Sequence, residues 1–264
     1  MDKIERRIAL KIAYDGTNYA GWQRQENGVG IQAVLEDTIS RQFGEPVHVM
    51  GSGRTDAGVH AKGQVAAFDF HHPIAAESLI RALNSNLPDD IRILDAMDVA
   101  ASFQPQYGAK RKTYGYRFLY GPVMLPHLRY TSVLVPEKLD IEKIRSSLLP
   151  LAGEHDFRAF RSAKAENAST VRTIYEAVLE SVEDLGENGT LFEIRVLGNG
   201  FLYNMVRIIA GTALDIGRGK LDTGAFRNAI ESGDRNCLGV TAPPQGLSLL
   251  SVEYDDLPEW PKEC

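Results

Sequence analysis

The sequence has 264 residues, 44% hydrophobic and 24% charged, a globular composition that excludes wholesale disorder and allows one large domain or two of roughly 100–150 residues. Its 29 Lys and Arg stand against 35 Asp and Glu, a net charge of −6; that argues against a general nucleic-acid coating protein, though not against an enzyme that gathers its cations into one groove. No window approaches the roughly 20 apolar residues of a membrane span, MDKIERRIAL does not read as a signal peptide, and Cys237 and Cys264 are too few for a disulfide scaffold, so a reduced, cytoplasmic setting is expected, with Cys264 at a mobile terminus.

The first strand is expected at residues 6–14. Ile8, Leu10, Ile12 and Tyr14 alternate with Arg7, Ala9, Lys11 and Ala13, the period of two of a pleated strand. Asp15-Gly16-Thr17-Asn18 carries turn chemistry. A helix fits 31–43, where Ile31, Val34, Leu35, Ile39 and Phe43 share one face and Gly44 and Pro46 stop it. A short strand is expected at 47–50, a strand at 64–70, a helix at 78–87 ended by Pro88, and a strand at 91–99.

The second half repeats that order. A strand at 113–120 has Tyr114, Tyr116, Phe118 and Tyr120 on one face. A helix at 140–151 has Asp140 as N-cap and Gly153 just past its end. A strand at 172–182 connects through Asn188-Gly189, a hairpin signal, to a strand at 191–196. A helix at 201–216, a short helix at 223–230 and a strand at 247–254 follow. Two β-α-β-β-α-β units in tandem give the expected fold class: α+β, two ferredoxin-like halves, residues 1–104 and 105–264, with merged antiparallel sheets and a central cleft.

The segment Gly51-Ser52-Gly53-Arg54-Thr55-Asp56-Ala57-Gly58-Val59-His60-Ala61 packs glycines, an arginine, an aspartate and a histidine between two expected strands. Glycines let backbone turn sharply and approach a ligand, and Arg54 and Asp56 can point into one cleft. A structural loop with a solvated ion pair is an equally good reading of the spacing alone. Neither the phosphate loop nor the dinucleotide fingerprint is present, since Asp56 stands where the third glycine of the latter belongs. The six histidines are scattered, and the adjacent His71-His72 pair reads as surface filler rather than a metal site. No G-x-S-x-G elbow offers a serine. A carboxylate nucleophile or base remains.

Three further segments stand out. Lys110-Arg111-Lys112-Thr113-Tyr114-Gly115-Tyr116 sets a basic cluster at the mouth of an aromatic strand. Cations hold phosphates and exposed tyrosines stack on bases; Tyr116, Phe118 and Tyr120 read as core, and Tyr114 as the functional candidate. In Phe201-Leu202-Tyr203-Asn204-Met205-Val206-Arg207, Arg207 sits in an apolar stretch and calls for a carboxylate partner, for which Asp56 is a candidate. Ala242-Pro243-Pro244-Gln245-Gly246-Leu247 is a stiff turn feeding the last strand.

Gly53-Arg54-Thr55-Asp56-Ala57-Gly58-Val59-His60-Ala61 resembles the active-site motif of the TruA-type tRNA pseudouridine synthases. Lys112 to Tyr116, Val171-Arg172-Thr173-Ile174, Phe201 to Arg207 and Ala242 to Leu247 resemble that family's other motifs, in order. The resemblance implies isomerisation of uridine to pseudouridine at positions 38 to 40 of the tRNA anticodon stem-loop, by a homodimer that uses no cofactor and no metal. It implies Asp56 as catalytic aspartate, Arg54 holding the flipped nucleotide, Tyr114 stacking on uracil, Arg207 pairing with Asp56, and Leu247 lining the pocket. Phe103, Gln104, Gln106, Tyr107, Lys110, Arg111, Lys112, Arg172 and Thr173 would meet the RNA. Gln104 and Gln106 depart from a stretch that often carries His and Arg in the family, and Ser248 stands where a bulkier side chain is common. Two other readings fit the residues: a non-catalytic RNA-binding module on ferredoxin-like sheets, and a small-molecule enzyme built on an Asp/Arg pair.

Overall fold

The computed structural model describes residues 6–161, 169–255, 257 and 260; Cys264 lies outside them. The chain is a mixed α/β protein of two compact units, one formed by the residues up to Lys110 together with those from Leu249 on, the other by Arg111–Ser248. The sheet strands are mostly antiparallel.

In the first unit, β1 (Arg6–Tyr14), α1 (Ile31–Phe43), β2 (Met50–Gly51), β3 (His60–Phe70), α2 (Ala76–Asn84) and β4 (Ile91–Val99) follow in order. β1 pairs antiparallel with β3, Ile8 opposite Phe68 and Leu10 opposite Ala66, and on its other edge with β4. Ile8, Leu10 and Ile12 are fully buried with Ile31, Leu35 and Ile39 of α1, Phe68 and Phe70 of β3, and Leu79 and Leu83 of α2. The alternation expected of β1 is incomplete, because Ala9 is also fully buried and Arg7 nearly so. The Arg7 guanidinium is stable there because it donates to Asp69 at 2.8 Å and to the carbonyls of Ala101 and Phe103 at 3.0 and 2.7 Å.

Gly44 ends α1 in the left-handed region at φ 73°, its amide donating to Ser40 O. The strand expected at 47–50 shrinks to Met50–Gly51. The cause is chemical: the Val49 amide donates to Glu36 Oε1 at 3.0 Å, and its carbonyl accepts from Gln32 Nε2 at 3.0 Å. Two buried polar side chains of α1 thus take the groups a sheet ladder would use. β3 begins four residues earlier than expected, at His60.

The second unit runs through β5 (Ala109–Tyr120), β6 (Val133–Val135), α3 (Ile141–Leu148), β7 (Gly153–Asp156), β8 (Val171–Asp184), β9 (Thr190–Gly198), α4 (Met205–Gly217) and α5 (Ala225–Ser232). β10 (Leu247–Tyr254) closes the element order and lies beside β3 of the first unit. The path β5-β9-β8-β7 is antiparallel, with Tyr116 opposite Ile194 and Phe118 opposite Phe192. Tyr116 and Phe118 are fully buried, as expected of core aromatics, and so are Ile194, Val196, Ile144, Ile208, Ile209 and Phe226.

β6, parallel to β5, and β7 have no counterpart among the expected strands. Both are too short to display a period. α3 stops at Leu148 rather than 151, and Leu149–Leu151 tightens into a 3-10 turn. Pro150 has no amide to continue an α-helix. α4 starts at Met205, not 201, because Asn204 turns left-handed at φ 63°. Among the described residues no helix is long and apolar enough to cross a membrane.

Asp140 caps α3 as expected, accepting from the Lys143 amide at 3.1 Å. Asp140→Ala should lower the unfolding free energy by about 1 kcal/mol in urea titrations, with most of it restored in Asp140→Asn; equal stability of the native and Ala forms would contradict the cap.

Candidate active site

The loop between β2 and β3 carries Arg54, exposed, and Asp56, half-buried. It makes no ladder of its own, so its backbone groups are satisfied one by one. The Ser52 amide donates to Val65 O at 2.7 Å, Gly53 O accepts from Gln64 Nε2 at 3.0 Å, and Thr55 O accepts from the Trp22 amide at 3.0 Å. Asp56 O accepts from the Val59 amide at 3.1 Å. Gly58, at φ 76°, turns the chain back into β3. The segment after β1 braces the loop from outside. Gly21, at φ 97°, approaches so closely that a Cβ there would lie 2.5 Å from Thr55 O, and a Cβ at Gly16 would lie 2.0 Å from Val59 O. His60 is buried, and its Nδ1 accepts from the Gly16 amide at 3.1 Å.

The same unit holds residues 103–110. The Phe103 ring is buried edge-on against Tyr254, 5.1 Å between centroids, so it packs rather than protrudes. Gln104, Gln106 and Tyr107 are exposed on a turn closed by the Gly108 amide donating to Gln104 O at 2.8 Å. Lys110 pairs with Asp255 at 3.2 Å.

The second unit gathers the remaining candidates. Tyr114 meets the edge of Phe201 at 5.1 Å and 84°, a T-shaped contact that fixes the ring plane. Arg207 and Ala242 are tied reciprocally: Arg207 Nε donates to Ala242 O at 2.8 Å, and the Ala242 amide donates to Arg207 O at 3.0 Å. Arg207 Nη1 also donates to Asn204 Oδ1 at 2.9 Å. Asparagine tolerates the left-handed backbone at 204 better than most side chains, and here its amide helps aim the guanidinium. Tyr116 donates to Pro243 O at 2.9 Å, and Gly246 leaves room for the Tyr116 ring, which a Cβ would meet at 2.7 Å. The proline turn is therefore anchored to β5 and α4 at once, and it delivers buried Leu247.

The family model for tRNA pseudouridine synthase matches residues 11–108 and 150–255. The chain belongs to that family. Relatives called tRNA pseudouridine synthase A are 47% identical in Exiguobacterium sibiricum, over 95% of this chain and 98% of the relative. In Lacticaseibacillus casei the identity is 46%, over 93% and 98%, and in Thermoanaerobacter sp. (strain X514) 43%, over 94% and 100%. Among solved structures, a chain of a Cbf5-Nop10-Gar1 complex aligns over 79% of this chain and 45% of its own at 14% identity and a TM-score of 0.32, too slight a likeness to bear on the fold.

The remaining basic candidates also lie in the second unit. Arg111 lies over the Tyr175 ring, 5.2 Å from its centroid. Thr173 and Asn199 bind each other: the Thr173 amide donates to Asn199 Oδ1, and the Asn199 amide to Thr173 O, both at 3.0 Å. This holds Arg172 beside Gly200. The Lys112 ammonium is pushed down to about 8, first by burial and then by the Arg172 charge. Among the described residues no group of three His, Cys, Asp or Glu side chains could hold a metal ion. His71 instead binds Glu45, and His72 packs on Phe43 and Phe70.

Residues outside the motifs that the fold places near them are Tyr14, Gln64 and Tyr254. Their role is spatial, and only the fold shows it.

A lysine whose folded value lies below its ordinary 10.5 binds fewer protons folded than unfolded across that gap. The unfolding free energy of the native protein, taken relative to Lys112→Met, should rise with pH from about 8 to 10.5 as the buried charge disappears. A difference that stays flat across the window contradicts the assignment.

Proposed function

We propose that this chain isomerises uridine to pseudouridine at positions 38, 39 and 40 of the tRNA anticodon stem-loop, with Asp56 as the catalytic residue. The observation that carries the reading is 47% identity to a tRNA pseudouridine synthase A over nearly the full length of both chains, with the carboxylate presented on a loop tethered by several backbone hydrogen bonds.

The reaction breaks the C1′–N1 bond, turns the uracil, joins C5 to C1′, and moves a proton from C5 while N1 regains one. Substrate and product are isomers, so no electron carrier is needed. A base within a stem must leave the stack before its glycosidic bond can be reached. In this reading Arg54, exposed beside Asp56, holds the flipped nucleotide. Tyr114, its ring plane fixed by Phe201, stacks on the uracil. Arg207 pairs with Asp56 and keeps it ionised, and Leu247 lines the pocket. Exposed Gln104, Gln106 and Tyr107, with Lys110, Arg111, Lys112, Arg172 and Thr173, meet the RNA; Phe103 supports that turn from below.

The architecture proposed with it is a pair of tandem ferredoxin-like halves, residues 1–104 and 105–264, with merged sheets and an RNA-binding cleft. The β-α-β-β-α-β order of β1 to β4 with α1 and α2, and the path β4-β1-β3 with β2 on β3, support it. The acting form is a cytoplasmic homodimer.

The test uses tRNA carrying tritium at C5 of uridine. Native protein releases tritium, and Asp56→Asn, folded and still binding tRNA, releases none above background. A folded Asp56→Asn protein that still releases tritium overturns the catalytic assignment. Native protein that binds tRNA without release favours the RNA-binding module instead.

A further inference from the structure

Beneath the Asp56 loop lies a chain of buried polar side chains in a setting that is otherwise apolar. The Tyr14 hydroxyl, at the end of β1, lies 2.8 Å from Thr55 Oγ1. It also hydrogen-bonds the Gln64 side chain. Gln64, on β3, donates to Gly53 O at 3.0 Å and accepts from Ser52 Oγ at 2.6 Å. Tyr254, near Ser52, donates its hydroxyl to Pro105 O at 2.7 Å. Tyr14, Ser52, Thr55 and Gln64 are all buried, Ser52 and Gln64 completely.

Stability alone does not call for this arrangement. Replacing both partners of a buried hydrogen bond by apolar groups of the same shape is close to neutral, and phenylalanine at 14 with valine at 55 would fill the same space. What an apolar pair cannot supply is direction, since a fully satisfied polar network admits one arrangement. Thr55 directly precedes Asp56. Its hydroxyl is held by Tyr14, its carbonyl by the Trp22 amide, and the Asp56 carbonyl by the Val59 amide. With both peptide units flanking its Cα tethered, the direction of the Asp56 side chain is set from below. A reacting group displaced by about 1 Å loses on the order of 100-fold in rate.

We infer that Tyr14 and Thr55, with Gln64 behind them, are positioning residues that aim the Asp56 carboxylate. The inference rests on the reading of Asp56 as catalytic. It assigns a role in the chemical step to a hydroxyl pair that does not touch the substrate.

The experiment is steady-state kinetics on a tRNA transcript, with thermal unfolding measured beside it. Thr55→Val and Tyr14→Phe should each lower kcat by about tenfold or more, with KM within about twofold of native. Thr55→Ser, which keeps the hydroxyl, should restore kcat to within about threefold. The double variant Tyr14→Phe/Thr55→Val should be no slower than the worse single variant, because both remove the Tyr14–Thr55 bond. Should Thr55→Val not fold, Tyr14→Phe and Thr55→Ser carry the test. Native kcat in Tyr14→Phe or Thr55→Val while Asp56→Asn is inactive overturns the positioning role alone. A loss that follows melting temperature or KM instead of kcat overturns it as well. Activity in Asp56→Asn overturns both the inference and the reading beneath it.

Discussion

The loop from Ser52 to Val59 must hide backbone from water without a sheet to pair with, and much of the first unit is arranged around that requirement. A buried amide or carbonyl left unpaired costs on the order of 1–3 kcal/mol. The loop reduces that cost by borrowing Val65 and Gln64 from β3, and Trp22 and Tyr19 from the segment after β1, while Tyr14 holds the Thr55 side chain. Each donor or acceptor also fixes a position. The outcome is a carboxylate on a segment that is irregular in path and tightly held.

The second unit reaches comparable order by a different route. Arg207 and Ala242 exchange a pair of hydrogen bonds, which tie the start of α4 to the proline turn. The strained backbone at Asn204 is offset by its side-chain bond to the same guanidinium. Phe201, released from the helix by that turn, is free to meet Tyr114 edge-on. Ending the helix four residues short of its apolar pattern is therefore what frees Phe201 to fix the Tyr114 ring.

Where one force dominates, the residue pattern states the element outright. β1, α1, β4 and β10 take the bounds expected of them, although β1 also buries Ala9 and Arg7. Where forces compete, the pattern misleads. Val47 to Val49 has strand composition, yet Glu36 and Gln32 claim Val49. Residues 201–204 have helix composition, yet Asn204 turns the chain away. The candidate site was legible as a set of motifs, with Asp56, Tyr114 and Arg207 among them. The residues that hold those motifs were not: Tyr14 looks like one more apolar strand position, and Gln64 like one more polar residue beside a glycine. Their hydrogen bonds depend on tertiary proximity that no local spacing encodes.

The excess of acidic residues does not exclude an RNA substrate. Burial first, and the Arg172 charge second, press the Lys112 ammonium down in the second unit, and a group of that kind is one that an arriving phosphate would relieve in the proposed reading. The most direct measurement is pseudouridine mapping of an unmodified tRNA with uridines at 38, 39 and 40, incubated with the purified protein and no added cofactor. Pseudouridine should form at those three positions and at no others. Uridine left unchanged at all three, or pseudouridine formed elsewhere in the tRNA, would contradict the proposed function.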